Sequence, residues 1–267
     1  MGLTSNSSGL NLLRESFNID SEKANAVIAL AGNPNTGKST IFNNLTGLKQ
    51  HTGNWPGKTV TQARGYYTHQ GDEYTLVDLP GTYSLLANSS EEQVARDFIC
   101  FAKPDATIVV VDATNLERNL NLVLQVAELT DNIILCLNLM DEANRKKIKI
   151  DIEGLEKDLQ MPVIPTVARD GIGLDDLKDV ITDIVTEKIK VEPTIIQYSP
   201  KLEAAISQIE PDLEYILQGR MNARWLALRL LEGDKTILES MEAYYSEEII
   251  KDINAKLEGE VKASGVL

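Results

Sequence analysis

Short apolar runs alternate with longer stretches of helical periodicity along most of the chain, and the alternation stops near Ser199. The runs Val27 to Ala31, Gly65 to Thr68, Thr75 to Val77, Thr107 to Val111, Ile133 to Leu137 and Val163 to Thr166 predict strands, the second and third joined by a His69-Gln70-Gly71-Asp72 turn. Helices are predicted over Ser39 to Leu45, Ser90 to Phe101, Leu116 to Leu129, Ile152 to Leu159 and Leu174 to Val185. Strands and helices in such order give an α/β fold, a mostly parallel sheet flanked by helices, with ligand loops at the carboxyl ends of the strands.

After Ser199 no strand signal recurs, so a small all-α domain is expected. Ser199-Pro200-Lys201 reads as a helix start with proline at the first helical position. Further helices are predicted over Pro211 to Gln218, Met221 to Leu231, Lys235 to Ser240 and Ser246 to Leu257. The stripe of Trp225, Leu226, Leu230 and Leu231 reads as its core. The expected division is a largely disordered leader over 1–25, with a possible short helix at Leu10 to Phe17, a nucleotide domain over 26–188 and a helical domain over 189–267, the charged stretch 187–198 around Pro193 serving as linker.

The chemistry sits at the strand ends. Gly32 to Ser39 reads GNPNTGKS between the first strand and its helix. Glycines in that setting turn backbone N–H groups toward one point, where a helix N-terminus adds positive charge, so Gly32, Asn33, Asn35, Thr36, Gly37, Lys38, Ser39 and Thr40 are expected to cradle a polyphosphate. Lys38 reaches the β and γ phosphates and the Ser39 hydroxyl joins a Mg²⁺ shell. The strand Thr75 to Val77 delivers Asp78-Leu79-Pro80-Gly81, a carboxylate for Mg²⁺ and an N–H at Gly81 for the γ phosphate. Asn138-Leu139-Met140-Asp141 follows the next apolar run, and a carboxylate at Asp141 accepts from the ring N–H and the exocyclic amine of guanine, a pair of donors adenine lacks. The nucleotide is therefore read as GTP or GDP. Val167 and Ala168, in Thr166 to Gly171, are expected to offer backbone groups to the base.

Two stretches, 48–64 and 79–93, are read as switch loops. In the first, Thr59 is expected to close on Mg²⁺ when a γ phosphate is present. In the second, Thr82 stands where many switch GTPases carry the glutamine that orients the attacking water, so intrinsic turnover is expected to be slow. Leu139 replaces the lysine of the common NKxD pattern, which lowers the expected affinity to micromolar, and Val167 replaces the serine common before Ala168, which is expected to weaken base contacts and alter GDP release.

Composition narrows the partners. Forty carboxylates against 26 Lys and Arg give a net charge of −14, which argues against nucleic acid or an anionic membrane surface. Cys100 and Cys136 lie in apolar runs at no metal spacing and read as core thiols, and His51 and His69 as solvated side chains. No apolar window of membrane-spanning length exists and Met1 to Lys23 lacks the features of a signal peptide, so the chain reads as soluble.

The wording GNPNTGKSTIFNNLTG, TGNWPGKTV, DLPGTYSL, SSEEQVARDF and VVDATNLERNLNL, with RWLALRLLEGD at Arg224 to Asp234, resembles the cytosolic part of the FeoB-type ferrous iron transporter. The resemblance implies a GTP-hydrolysing regulatory module at the cytoplasmic face of the bacterial inner membrane, with the membrane-embedded portion expected after Leu267 and homo-oligomers left open. It further implies a helical domain that stabilises bound GDP. Members of that family activated by potassium use a loop asparagine as a K⁺ ligand with two switch-loop carbonyls, which by motif are Asn35, Gly53 and Trp55. The resemblance thus casts Asn35, Lys38, Thr59 and Gly81 as the catalytic set. A different class, a freestanding GTP-dependent switch recruiting a partner, predicts a basic appendage, whereas the C-terminal region carries Glu239, Glu242, Glu247, Glu248, Asp252, Glu258 and Glu260.

Overall fold

The computed structural model describes residues 5–20, 24–48, 50–247 and 249–255. Its centre is a seven-stranded sheet ordered β2-β3-β4-β1-β5-β6-β7, formed by β1 (Ala26–Gly32), β2 (Gln50–Asn54), β3 (Thr61–His69), β4 (Asp72–Asp78), β5 (Ala106–Asp112), β6 (Ile133–Asn138) and β7 (Val163–Pro165). From β4 through β7 the pairing is parallel, whereas β2, β3 and β4 form an antiparallel meander at one edge. Every residue of β1 and β6 is buried, as unbroken apolar strands covered on both faces should be. The register aligns Leu30 with Asp78, Gly32 with Val110 and Asp112 with Asn138, so the ends of β1, β4 and β6 open on one edge of the sheet.

The flanking helices begin with α1 (Ser5–Ser16), α2 (Lys38–Thr46), α3 (Ser90–Asp97) and α4 (Leu116–Ala127). They continue with α5 (Met140–Arg145), α6 (Ile152–Leu159) and α7 (Leu174–Val185). Local chemistry explains several boundaries. Ser89 caps α3 by accepting from Glu92 N, and Glu92 reaches back to the Asn88 amide, so this carboxylate is a capping group. Asp151 caps α6 through Gly154 N. After α3 the chain widens into a π-helical turn, Phe98–Ala102, whose side chains are all buried.

Several sequence expectations are corrected by the structure. The leader is not disordered over its described part: α1 docks through Arg14, whose Nε donates to Ala102 O at 3.0 Å and whose Nη2 donates to Lys103 O at 2.7 Å and pairs with Asp105 at 3.1 Å. Phe17 and Ile19 are buried beyond it. Next, Gln50–Asn54 forms a strand that no apolar alternation announces, because pairing with β3 recruits it into the sheet. Finally, the stretch read as a linker is packed as far as Thr194, whose N–H donates to Leu159 O and whose hydroxyl donates to Asp158 O. His69 is also not merely solvated: its Nε2 lies 2.7 Å from Asp179 Oδ1. Cys100 and Cys136 are free and buried, and burial pushes the Cys136 thiol up to about 12.

The chain divides into two compact units, Met1–Thr194 and Ile195–Leu267. In the second, α8 (Pro200–Leu217), α9 (Ala223–Leu231) and α10 (Lys235–Tyr244) precede a helical stretch at 249–255. Ser199 caps α8 with Pro200 at its start. The helix expected to begin at Pro211 is instead the second half of α8, which runs through that proline. Ala205, Ile206, Ile209, Leu213 and Leu217 recur at helical spacing on its buried side, and packing along that stripe outweighs the hydrogen bond Pro211 cannot make. Trp225, Leu226, Leu230 and Leu231 are buried, as the stripe predicts. Arg224 grips Glu203 through both guanidinium ends, at 2.9 and 2.8 Å, and holds that carboxyl down at about 2. No helix among the described residues is long and apolar enough to cross a membrane.

Candidate functional site

The loop between β1 and α2 closes around a cavity of about 290 Å³ lined by Asn33, Asn35, Gly37, Lys38, Ser39, Thr40 and Gly81, together with Pro34. Two glycines make the loop possible. A Cβ on Gly32 would stand 2.6 Å from Val110 O, and Gly37, at φ +87°, leaves no room for one because Asn138 Nδ2 lies 2.3 Å from where it would be. Asn35 is also left-handed, at φ 67°. Thr36 is buried and pins the loop by donating from its hydroxyl to Asn33 O at 3.0 Å. Asn33 is 2% exposed, and neither polar atom of its side chain has a hydrogen-bond partner. A buried orphan amide behind a cradle of helix N-terminal amides suits a polar, anionic occupant.

Lys38 Nζ is ion-paired with the Asp78 carboxylate and donates to Leu79 O at 2.7 Å. Burial raises the Asp78 carboxyl above the usual range, and the Lys38 ammonium opposes that rise. Ser39 and Asp78 offer hard oxygen donors of the kind magnesium takes. Gly81 packs on Pro34, with 3.5 Å between that ring's backbone and the position of a Cβ. Thr82 is buried, and its N–H donates to Gly32 O at 3.3 Å, so the segment after β4 is stitched to the end of β1. Its short side chain is enclosed, and Thr82 does not line the cradle.

At the other end of the site Asn138 is a brace. Its Nδ2 donates to Thr36 O at 2.9 Å, while its Oδ1 accepts from the Thr166 hydroxyl at 3.1 Å and from Ala168 N at 3.0 Å. One amide 1% exposed thus ties the phosphate loop to the loop after β7. Leu139 follows in the left-handed region at φ 64°, turning the chain so that α5 starts at Met140 and Asp141 falls in its first turn. Asp141 accepts from Arg169 Nη2 at 2.9 Å.

Several expected positions are not assembled with these. Ala168, read as a backbone donor to the base, spends its N–H on Asn138 and its carbonyl on Asn44 Nδ2. Val167 N donates to Ile172 O. Thr59 is exposed and does not line the cradle. Gly53 is a residue of β2, opposite Gln62, and lines a separate depression of about 440 Å³ with Glu15, Asn18 and Arg64. Trp55 is buried, its carbonyl accepting from Lys58 N at 3.0 Å. The first switch stretch is folded as a β2–β3 hairpin, so Asn35, Gly53 and Trp55 do not form one ligand set here.

Sequence reading also missed Arg169, which lay inside a quoted motif without an assigned role. It missed Lys58, whose Nζ donates to Gln93 Oε1 at 2.6 Å and links the two switch stretches. A third omission is Arg118, whose guanidinium sits 4.5 Å from the centre of the Tyr83 ring. None of these has a spacing signature, because each joins residues far apart in the chain.

Residues 26–181 match the family model for Ferrous iron transport protein B, and residues 198–265 match that for the FeoB cytosolic helical domain. The chain is 42% identical over 215 residues to the Fe(2+) transporter FeoB of Salmonella typhimurium, a stretch covering 78% of this chain and 27% of that protein. It therefore spans roughly a quarter of the length of that relative. Among solved structures, the cytosolic domain of T. maritima FeoB in apo form superposes with a TM-score of 0.73 at 35% identity, covering 90% of this chain and 97% of that one. Its GDP form I gives 0.72 at 35% identity, covering 90% and 96%. The two matched regions fall in the two compact units, and together they make this chain a member of the FeoB family, carrying its G domain and its cytosolic helical domain.

Proposed function

We propose that this chain binds and hydrolyses GTP as the cytosolic regulatory module of a ferrous iron transporter, joined to a membrane-embedded portion at the cytoplasmic face of the bacterial inner membrane. The observation that carries the reading is one edge of one sheet, where the glycine-framed cradle, Lys38 and Asp78 meet an Asp141 positioned by the turn after Asn138. The T. maritima relative solved in its GDP form supports the same ligand class.

In this reading the phosphates compete with Asp78 for the Lys38 ammonium, and amides from Asn35 through Thr40 receive their oxygens. Ser39 and Asp78 would hold magnesium, which supplies charge neutralisation at the β and γ oxygens. Gly81 offers its N–H to the γ phosphate, and Asp141 accepts from the two donors of guanine. Asn35 would hold potassium, completed by the Gly53 and Trp55 carbonyls once the switch stretch leaves its hairpin, and the ion supplies positive charge where the transition state gains negative charge. Thr59 joins the magnesium side in the same rearrangement. With Thr82 enclosed, nothing at that position orients water, so turnover is slow. The helical unit acts as a regulator of the GDP-bound form.

Titration calorimetry on nucleotide-stripped protein tests the reading: GDP gives a micromolar Kd and ADP gives no heat. Absence of heat with GDP and GTP would end it. Steady-state GTP hydrolysis is expected to run at least about tenfold faster in potassium than in sodium, with Asn35→Ala abolishing the difference. Equal rates in the two salts for the unmodified protein remove the potassium step and leave the nucleotide assignment standing.

A further inference from the structure

The matched family region begins at residue 26, yet the leader before it is built into the switch apparatus. Phe17, Trp55 and Phe98 form a three-ring cluster, each pair edge to face: Phe17 to Trp55 at 6.3 Å and 78°, Phe17 to Phe98 at 5.5 Å and 83°, Trp55 to Phe98 at 5.4 Å and 70°. The rings come from three different segments: the leader, the first switch stretch and the π-helical turn that continues the helix after the second switch. Their exposures are 3%, 2% and 0%. The leader is fixed ahead of Phe17 and at the Phe17 carbonyl. Arg14 is tied to Ala102, Lys103 and Asp105, and Gln62 of β3, itself buried, donates from Nε2 to Phe17 O at 3.0 Å.

We propose that Phe17 is a positioning residue for the GTPase cycle, acting through Trp55: the leader holds the Trp55 indole inside the domain and so keeps the first switch stretch in its β2–β3 hairpin. The inference rests on the proposed nucleotide reading, in which Gly53, Trp55 and Thr59 must move to the phosphates. That movement cannot keep Trp55 between Phe17 and Phe98 while Gly53 leaves its pairing with Gln62. Lys58, bonded to Gln93 of α3, sits in the same segment and couples the release to the second switch. Phe17 thereby biases the chain toward the open arrangement, and GTP has to overcome the bias.

Trp55 reports the event directly. In a Trp225→Phe background it is the only tryptophan, since the chain has two. In that background, Phe17→Ala is expected to red-shift Trp55 emission and admit quencher without any nucleotide. The same change is expected to raise kcat/KM for GTP by about tenfold, chiefly through KM, at unchanged calorimetric affinity for GDP. Phe17→Leu, which keeps an apolar plug, is expected to bring both readouts most of the way back to those of the parent protein. Arg14→Ala, which loosens the leader without touching the ring cluster, moves both readouts the same way by less. Trp55 emission unchanged by Phe17→Ala, or emission shifted with kcat/KM unchanged, overturns the proposal. The fluorescence arm needs no nucleotide, so a chain unable to bind GTP sinks the functional reading while Trp55 still decides whether Phe17 holds it.

Discussion

The phosphate end and the base end of the site are built by opposite means. At the phosphate end the shape is set within a few residues of chain: two glycines whose missing Cβ atoms make room for Val110 O and Asn138 Nδ2, and a helix whose N-terminus opens into the cradle. At the base end the shape is set by one buried amide reaching across the molecule, since Asn138 joins Thr36 102 residues away to Thr166 and Ala168. Backbone geometry of the first kind tolerates almost no side-chain change at its glycines. A relay of the second kind concentrates its dependence on a single side chain. The contrast predicts where substitutions bite and how hard.

The most damaging change is expected at the phosphate end. Gly37→Ala places a methyl where Asn138 Nδ2 already stands, at a backbone φ of +87° that L side chains resist. Neither neighbour can yield without opening the cradle or breaking the brace. GDP affinity should fall by at least about 100-fold, near 2.7 kcal/mol, by titration calorimetry. A variant retaining affinity within a few fold would show that the loop is not held by this approach and would erase the contrast.

Asn138→Ala strikes the other end. It leaves Thr36 O, the Thr166 hydroxyl and the Ala168 N–H without their partner in a region almost closed to water. Stranding buried polar groups costs about 1 to 3 kcal/mol each before relaxation, so a stability loss of about 3 kcal/mol is expected by urea unfolding. Nucleotide affinity should fall with it, because the loops at the two ends are no longer tied. A loss of affinity without loss of stability would instead make Asn138 a direct ligand rather than a brace.

The same contrast explains what could be read from the sequence. GNPNTGKS, DLPG and NLMD mark their elements because loop, helix start and strand end are contiguous, and β1, β4, β5 and β6 follow from their apolar runs. Strand β2 was not legible, since Gln50-His51-Thr52-Gly53-Asn54 has no alternation and takes its conformation from β3. The leader was misread because its polar composition hides two anchors, Arg14 and Phe17, whose partners lie more than thirty residues downstream. Pro211 misplaced a helix start for a related reason: local propensity spoke for a break, and the buried stripe of α8 overrode it. Individual residues of the phosphate loop were legible, whereas the brace role of Asn138 and the engagement of Ala168 became visible only when distant segments met.

The smallest expected effect separates the two ends most finely. Arg169 Nη2 rests 2.9 Å from an oxygen of Asp141 that the base reading assigns to guanine, and its side chain is 71% exposed. An ion pair so open to water contributes little and weakens with salt. The base must share or displace that contact, so Arg169→Ala removes a competitor, and GDP affinity is expected to rise by up to about fivefold at low ionic strength. The gain should vanish at high salt, where the pair in the unmodified protein is already screened. Affinity for inorganic pyrophosphate, which fills only the cradle, should not change. A drop in GDP affinity on Arg169→Ala would reverse the assignment, making the guanidinium a partner that orients the carboxylate in place of the lysine absent at Leu139. An equal change for pyrophosphate would mean that the two ends are more tightly coupled than one buried amide allows.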